Sequence, residues 1–313
     1  MQPSFGPAAT MQDLELSVTI CSWNTCEDLR ACLTSLQAVR DEAQFEVLVV
    51  DNASKDGSPD MVENEFPWVR LMRMDENLGF TKGHNTAIAA RCAPHAFLLN
   101  SDAVVHPGTL RTLLDYQAAH PEAGIVGPKL LNPNGSLQYS CRRFPNPVAA
   151  LFRNTFVGKL FPGNRFTREY LMTDWGHEDV REVDWVSGAA FLASSDLIEK
   201  VGAFDPAFFM FCEDVDWCFR TWQAGLKVVY LPTAVVTHAI GRSTDQVANK
   251  MIVCFHQSML RFYRKNMLPK TPWIVRPAAY CAAGAALTAR AALQIAKNWS
   301  DEAERRIRRL LHR

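Results

Sequence analysis

Long apolar runs are missing from this chain. In its most apolar region Arg276 and Arg290 bracket only 13 uncharged residues, short of the roughly 20 that a membrane-spanning helix needs. No basic segment followed by an apolar one opens the sequence, so "MQPSFGPAATMQDLE", residues 1–15, is expected to be a loose leader and not a signal peptide. None of the nine cysteines is spaced as Cys-x-x-Cys. Their scatter through strand- and helix-like segments such as "VTICSW" suits reduced, buried thiols in a cytosolic protein. The first strand-to-helix turn, "CSWNTCEDL", lacks a glycine-rich loop with a basic residue, which argues against a nucleotidyltransferase. There is no internal repeat, and low complexity is confined to the Ala-rich run Ala278–Ala292.

An excess of charge of either sign is also missing, with 33 basic and 33 acidic side chains. The balance conceals a division. Residues 246–313 hold 13 Lys and Arg against 3 Asp and Glu, a net of +10, so residues 1–245 carry −10. Such asymmetry implies two jobs, with the basic part facing an anionic partner. At 313 residues, 48% hydrophobic and 21% charged, the chain is an ordinary globular sequence with enough apolar side chains for a full core.

The first 130 residues alternate strand and helix patterns. "LSVTICSW" (Leu16–Trp23), "FEVLVVD" (Phe45–Asp51), "VRLMRM" (Val69–Met74) and "HAFLLN" read as strands. Helices are expected over Glu27–Val39, in "PDMVENEF", over about Thr81–Arg91 and over Pro107–His120. Repeated βα units with short loops imply right-handed crossovers and a parallel sheet. "LLNPNGSLQYS" reads as a hairpin around Asn134-Gly135. Residues 141–182 have weak periodicity and are expected to make a long surface excursion of the kind that often binds ligands. Regular structure resumes with "DWVSGAAFLAS", helices near Ser195–Val201 and Asp214–Ala224, and two strands, "KVVYLP" and "AVVTH". From Gln246 onward only helical patterns remain.

Polar clusters punctuate these elements: "DNASKDGS" from Asp51, "NLGFTKGHN" from Asn77, "NSD" from Asn100, "FFMFCEDVDWC" from Phe208 and "THAIGRS" from Thr237. Singly, each has an ordinary reading. Asp51-Asn52 fits an Asx turn, Asn100–Asp102 a strand-exit turn, and Glu213, Asp214 and Asp216 a first helical turn complementing the macrodipole. His238 fits a satisfied core histidine. The alternative for Asp102 is a metal ligand at the carboxyl end of a strand, where open α/β sheets bind ligands.

Together and in this order, the clusters resemble the inverting glycosyltransferases of family 2, and most closely the rhamnosyltransferase-like enzymes of bacterial surface-polysaccharide assembly. The resemblance covers roughly Ser17–Ser243 and is most specific in "GAFDPAFFMFCEDVDWCFRTWQAGLKVVYLPTAVVTHAIGRS". It implies a GT-A type α/β fold, a mostly parallel mixed sheet flanked by helices. The domain would span residues 16–245, followed by a basic helical extension over 246–313. It implies that Asp102 and His238 hold a divalent cation, Mn²⁺ or Mg²⁺, on the diphosphate of a nucleotide sugar, with Asn100 beside them in place of a second carboxylate. It further implies that Asp51, Asn52, Asn77, Gly79 and Asn85 shape the nucleoside pocket, and that Arg242 bonds the diphosphate. Asp214 would be the general base and Glu213 its orienting partner, while Asp216 supports the helix start. Such a site transfers a sugar, L-rhamnose from dTDP-rhamnose, to a lipid-linked or polysaccharide acceptor. The rival donors are UDP-hexose or UDP-galactofuranose, and a non-catalytic nucleotide-sugar-binding scaffold is the rival from another class.

The C-terminal segment ends in the basic amphipathic stretch "DEAERRIRRLLHR". Two readings stand: a helical cap or homodimer surface, or peripheral attachment to the cytoplasmic leaflet, where a +10 segment meets anionic lipid. No nucleic-acid motif accompanies the charge.

Overall fold

Runs of β-branched and apolar residues with no charge to place become buried strands here, and the amphipathic stretches between them become covering helices. The computed structural model describes residues 13–145, 161, 163–239, 241 and 245–311. Most of the expected leader, much of the 141–182 segment, Arg242 and Ser243 lie outside the described residues.

The chain begins with β1 (Leu16–Ser22), α1 (Cys26–Ala38), β2 (Phe45–Asp51), α2 (Ser58–Glu65), β3 (Arg70–Arg73) and α3 (Gly79–Ala90). It continues through β4 (His95–Asn100), β5 (Ala103–Val105), α4 (Thr109–Ala119) and β6 (Ala123–Leu131). Strands β1 to β4 and helices α1 to α4 follow the expected pattern to within two or three residues, whereas β5 and β6 were not expected as strands. The Asn134-Gly135 hairpin forms, and pairs β7 (Leu137–Gln138) antiparallel with β6. Next come β8 (Cys141–Arg142), α5 (Arg165–Leu171), β9 (Arg181–Glu182), β10 (Trp185–Val186) and β11 (Ala190–Ala193). Then follow α6 (Ser195–Val201), α7 (Glu213–Gln223) and β12 (Lys227–His238).

The sheet order is β3-β2-β1-β4-β11-β6-β12-β5. Strands β1 to β4 pair in parallel, β11 lies antiparallel between β4 and β6, and β12 runs parallel to β6. Helices cover it: Leu29, Leu33 and Leu36 of α1 pack with Val18, Ile20 and Val49 in one core, and Trp217 with Phe191 and Tyr230 in another. This is the mixed α/β sheet with helices that the sequence implies.

Two expectations change. "KVVYLP" and "AVVTH" are one strand, because a register shift between Leu231 and Val235 absorbs Pro232, which has no N–H for the ladder. The 141–182 segment is more than a surface excursion. Met172, Trp175 and His177 are buried; the Trp175 and His177 rings stack at 4.1 Å, and Tyr230 meets Trp175 edge-on at 5.2 Å.

The C-terminal part continues as α8 (Ala248–Phe262), a π-helical turn at Tyr263–Met267 and the long α9 (Arg276–Leu311). Helix α8 is bound to the sheet domain: Ser258 Oγ donates to the Met210 carbonyl at 2.8 Å. No described helix is long and apolar enough to cross a membrane.

Candidate active site

Strand β4 ends at Asn100, the chain turns through Ser101-Asp102, and β5 returns antiparallel to β12 with Ala103 opposite His238. That register brings Asp102 and His238 together. His238 Nε2 lies 3.2 Å from Asp102 Oδ1 and 3.1 Å from Asn100 Nδ2. Asn100 Oδ1 is buried without a hydrogen-bond partner. Among the described residues no three His, Cys, Asp or Glu side chains converge as a closed metal cage. A carboxylate and an imidazole nitrogen beside an orphaned amide oxygen fit a hard cation that completes its shell with oxygen ligands from outside the protein, the usual Mg²⁺ pattern. An imidazole nitrogen in the set also suits Mn²⁺.

The second acidic group sits at the start of α7. Phe211 (φ 68°) and Cys212 (φ 63°) both occupy the left-handed region, a local strain that turns the chain sharply into the helix. Asp214 then accepts from the backbone N–H of Gly188 at 2.9 Å through Oδ2, and of Val215 at 2.8 Å through Oδ1. Glu213 is buried, and its Oε2 has no partner. Burial raises both carboxyls. Glu213 is lifted furthest, by burial and by the neighbouring Asp214 charge, while the backbone donors on Asp214 partly offset its own burial. The two backbone donors favour the charged form at Asp214, and Glu213, whose Oε2 has none, is the more easily protonated of the two. The two acidic groups meet at adjacent residues: Gly188 N–H holds Asp214, and the Ala189 carbonyl accepts from Asn100 N–H at 2.9 Å.

A cleft is lined by Cys21, Trp23, Asn52, Asn77 and Phe209 from the sheet domain and by Lys250 and Met251 from α8; neither Asp102 and His238 nor Glu213 and Asp214 line it. Asp51 is buried at the end of β2; Oδ2 accepts from Ser54 N–H at 3.0 Å, and Oδ1 has no partner. A carboxylate oxygen in that state is a ready acceptor for a nucleobase N–H.

Residues 14–252 match the protein family described as "Glycosyltransferase like family 2". The chain belongs to glycosyltransferase family 2. It is 31% identical, over 258 residues, to the N-acetylglucosaminyl-diphospho-decaprenol L-rhamnosyltransferase of Mycobacterium tuberculosis, covering 79% of this chain and 83% of that one. The fold is similar to a mannosyltransferase from Pyrobaculum calidifontis solved with GDP-Man and Mn²⁺ (TM-score 0.54, 18% identity, 91% of this chain and 79% of that one). It is also similar to GalNAc-T7 solved with UDP, GalNAc and Mn²⁺ (TM-score 0.55, 15% identity, 72% of this chain), of which it spans only 43%. The GT-A architecture and the glycosyltransferase assignment follow, with the inverting chemistry typical of the family.

The structure gives some residues of this glycosyltransferase other roles than the sequence implied. Asn85 does not line the cleft: its Nδ2 donates to the Phe204 carbonyl at 2.9 Å and its Oδ1 accepts from Phe204 N–H at 3.0 Å, so both amide atoms are engaged in fastening α3 to the loop after α6. Gly79 (φ +80°) lines the cleft, but its missing side chain serves the protein: a Cβ there would lie 2.5 Å from the Phe209 carbonyl. Asn52 lines the cleft and donates to Cys21 Sγ at 3.0 Å and the Gly79 carbonyl at 3.2 Å, leaving Oδ1 without a partner. Asn77 accepts from Gly79 N–H at 2.9 Å, an Asx turn at the cleft wall. Cys212 and Cys218 are raised well above the ordinary thiol range by burial, inert packing groups.

Lys265 and Asn266, the partners of Asp216, escape sequence reasoning. Asp216, fully buried, accepts from Arg220 Nε at 2.9 Å, Lys265 Nζ at 2.9 Å and Asn266 Nδ2 at 2.8 Å. The π-helical turn thus clamps α7 two residues past Asp214. A "RKN" triplet ending a basic amphipathic helix carries no local sign of such a contact. Gln138 and Gly188 are equally silent in the sequence.

Proposed function

We propose that this enzyme transfers L-rhamnose from dTDP-rhamnose to a lipid-linked glycan acceptor in cell-surface glycan assembly, with inversion and with a divalent metal. The likeness to a rhamnosyltransferase over most of both chains supports the sugar. What carries the chemistry is an Asp102–His238 pair at the end of one strand and, apart from it, an Asp214 carboxylate held by two backbone N–H groups at a helix start.

Asp51 Oδ1 accepts from the ring N3–H of thymine. Uracil carries the same N–H, so Asp51 does not choose between dTDP and UDP donors. Asp102 and His238 would hold Mn²⁺ or Mg²⁺, which supplies positive charge against the negative charge that develops on the departing diphosphate. Arg242, outside the described residues, is the expected further cation for that diphosphate. Asp214 accepts the proton of the acceptor hydroxyl as its oxygen bonds to the anomeric carbon from the face opposite the diphosphate. The bond from that carbon to the diphosphate oxygen breaks, and the electron pair leaves with the nucleotide. One displacement inverts the anomeric centre and needs no carboxylate nucleophile. Glu213 borders Asp214, its carboxyl pushed up by burial and by the Asp214 charge.

The acceptor's lipid places the work at a membrane surface. Trp273, Ile274 and Trp299 are exposed at 75%, 71% and 62%, and the +10 segment that contains them fits an anionic cytoplasmic leaflet. A homodimer through the same helix is the competing use of that surface.

A panel of nucleotide sugars, assayed with Mn²⁺ and Mg²⁺ for turnover and thermal stabilisation, tests the reading. dTDP-rhamnose should give the strongest response. A stronger response to a UDP-sugar overturns the donor, and stabilisation without transfer to any acceptor or water would make the protein a binding scaffold.

A further inference from the structure

The proton on His238 is placed from the side of its ring that faces away from Asp102. Asn132 Nδ2 donates to the Leu137 backbone carbonyl at 3.3 Å and to Ser136 Oγ at 3.0 Å, so Asn132 Oδ1 is an acceptor. That oxygen takes a bond from Gln138 Nε2 at 2.9 Å, and the same Nε2 donates to the His238 backbone carbonyl at 3.1 Å. Both partners of Gln138 Nε2 can only accept. The amide orientation is therefore fixed, and Gln138 Oε1 is the atom 2.8 Å from His238 Nδ1. An oxygen there requires a hydrogen on Nδ1.

Asp102 alone would choose otherwise. With its Oδ1 3.2 Å from Nε2, the carboxylate draws the ring proton to Nε2, where it would cover the lone pair that a metal needs. Gln138 opposes this from behind, and Asn100 Nδ2, 3.1 Å from Nε2, adds a donor that needs the same lone pair. The hairpin around Asn134-Gly135 makes this possible: it pairs Gln138, a residue 9% exposed, with Leu130 and carries its amide to the Nδ1 edge of the His238 ring.

We propose that Gln138 is a positioning residue of the metal site. It keeps the proton of neutral His238 on Nδ1 and so presents Nε2, unprotonated, beside Asp102 to the cation of the donor diphosphate. Histidine ligands are commonly set by such a bond to the distal nitrogen, and its loss costs about 10–100-fold in metal affinity. The inference rests on the metal-dependent reading above and adds a residue to it.

The test begins with metal-free parent enzyme labelled with ¹⁵N-histidine, at a pH where the ring is neutral, with the His238 signal assigned by its loss in His238→Asn. The ring nitrogen shifts should report an Nδ1–H tautomer; an Nε2–H tautomer overturns the inference with no variant of Gln138 needed. Mn²⁺ affinity is then measured by electron paramagnetic resonance with dTDP present. Gln138→Leu, similar in size but without the acceptor, should bind Mn²⁺ about 10–100-fold more weakly. Its His238 should shift toward the Nε2–H form while its melting cooperativity is retained. Unchanged Mn²⁺ affinity in a folded Gln138→Leu overturns the proposal. Absence of Mn²⁺ binding by the parent enzyme would sink the metal-dependent reading together with it, whereas Nε2–H with normal Mn²⁺ binding would sink the role of Gln138 alone.

Discussion

Asp102 lies 3.2 Å from an imidazole nitrogen at the exit of a strand, whereas Asp214 is half-buried at the start of a helix and held by two backbone N–H groups. The side chains are identical and their surroundings prepare them for different partners. Around Asp102 the neighbours offer lone pairs, which together suit a cation. Around Asp214 there is a second carboxyl, lifted well above its ordinary range by burial and by Asp214 itself, which leaves Asp214 as the proton acceptor. The comparison assigns roles that an acidic motif does not: "NSD" and "EDVD" look alike in composition, and only their packing separates donor side from acceptor side.

The largest break in this comparison should come from Asp214→Asn. The variant keeps the size and the bond from Gly188 but cannot take a proton. Transfer should fall by roughly 10²–10⁴-fold, the usual share of a general base. Unchanged transfer would pass the role to Glu213.

Asp102→Ala should cost nearly as much, about 10²–10³-fold or ~3 kcal/mol, as expected for deleting a preorganised electrostatic contact. EDTA should abolish parent activity and Mn²⁺ or Mg²⁺ restore it. Full activity in chelator, with Asp102→Ala unimpaired, would return "NSD" to being a strand-exit turn.

The smallest effect is expected at Glu213. Because its folded-state pKa is raised, the native protein binds a proton that the unfolded chain releases, and stability drains away as pH rises above the ordinary carboxylate range. Glu213→Gln should remove that penalty. Its melting temperature should exceed the parent's at pH 8, by about 2–4 °C for each kcal/mol recovered, and the gain should vanish near pH 4. A gain of the same size at both pH values, or a loss at pH 8, would contradict a raised Glu213.

The first four strands, the first four helices and the Asn134-Gly135 hairpin were legible because apolar spacing and turn residues are local signals; β5 and the central β6 were not read as strands. Asp51, Asp102, Glu213, Asp214 and His238 each had an ordinary reading as a strand end, helix start or core histidine, and only the resemblance of their clusters, taken in order, to family 2 singled them out. Pro232 misled, since a bulge let one strand run through it. The burial of Trp175 and His177 was hidden because three aromatic rings, one of them Tyr230, pack without any periodicity. Gln138 and Lys265 were invisible for a related reason: each acts across about a hundred or fifty residues, on His238 and Asp216, and neither contact leaves a trace in its own neighbourhood.

The division of labour between the two aspartates is tested most directly by calorimetric titration of dTDP with Mn²⁺ into Asp214→Asn and Asp102→Ala. Affinity in Asp214→Asn should stay within about threefold of the parent despite its loss of rate, because general-base catalysis is withdrawn from the transition state alone. Asp102→Ala should bind the pair much more weakly. Equal loss of affinity in both variants would contradict the account and place Asp214 in the nucleotide site.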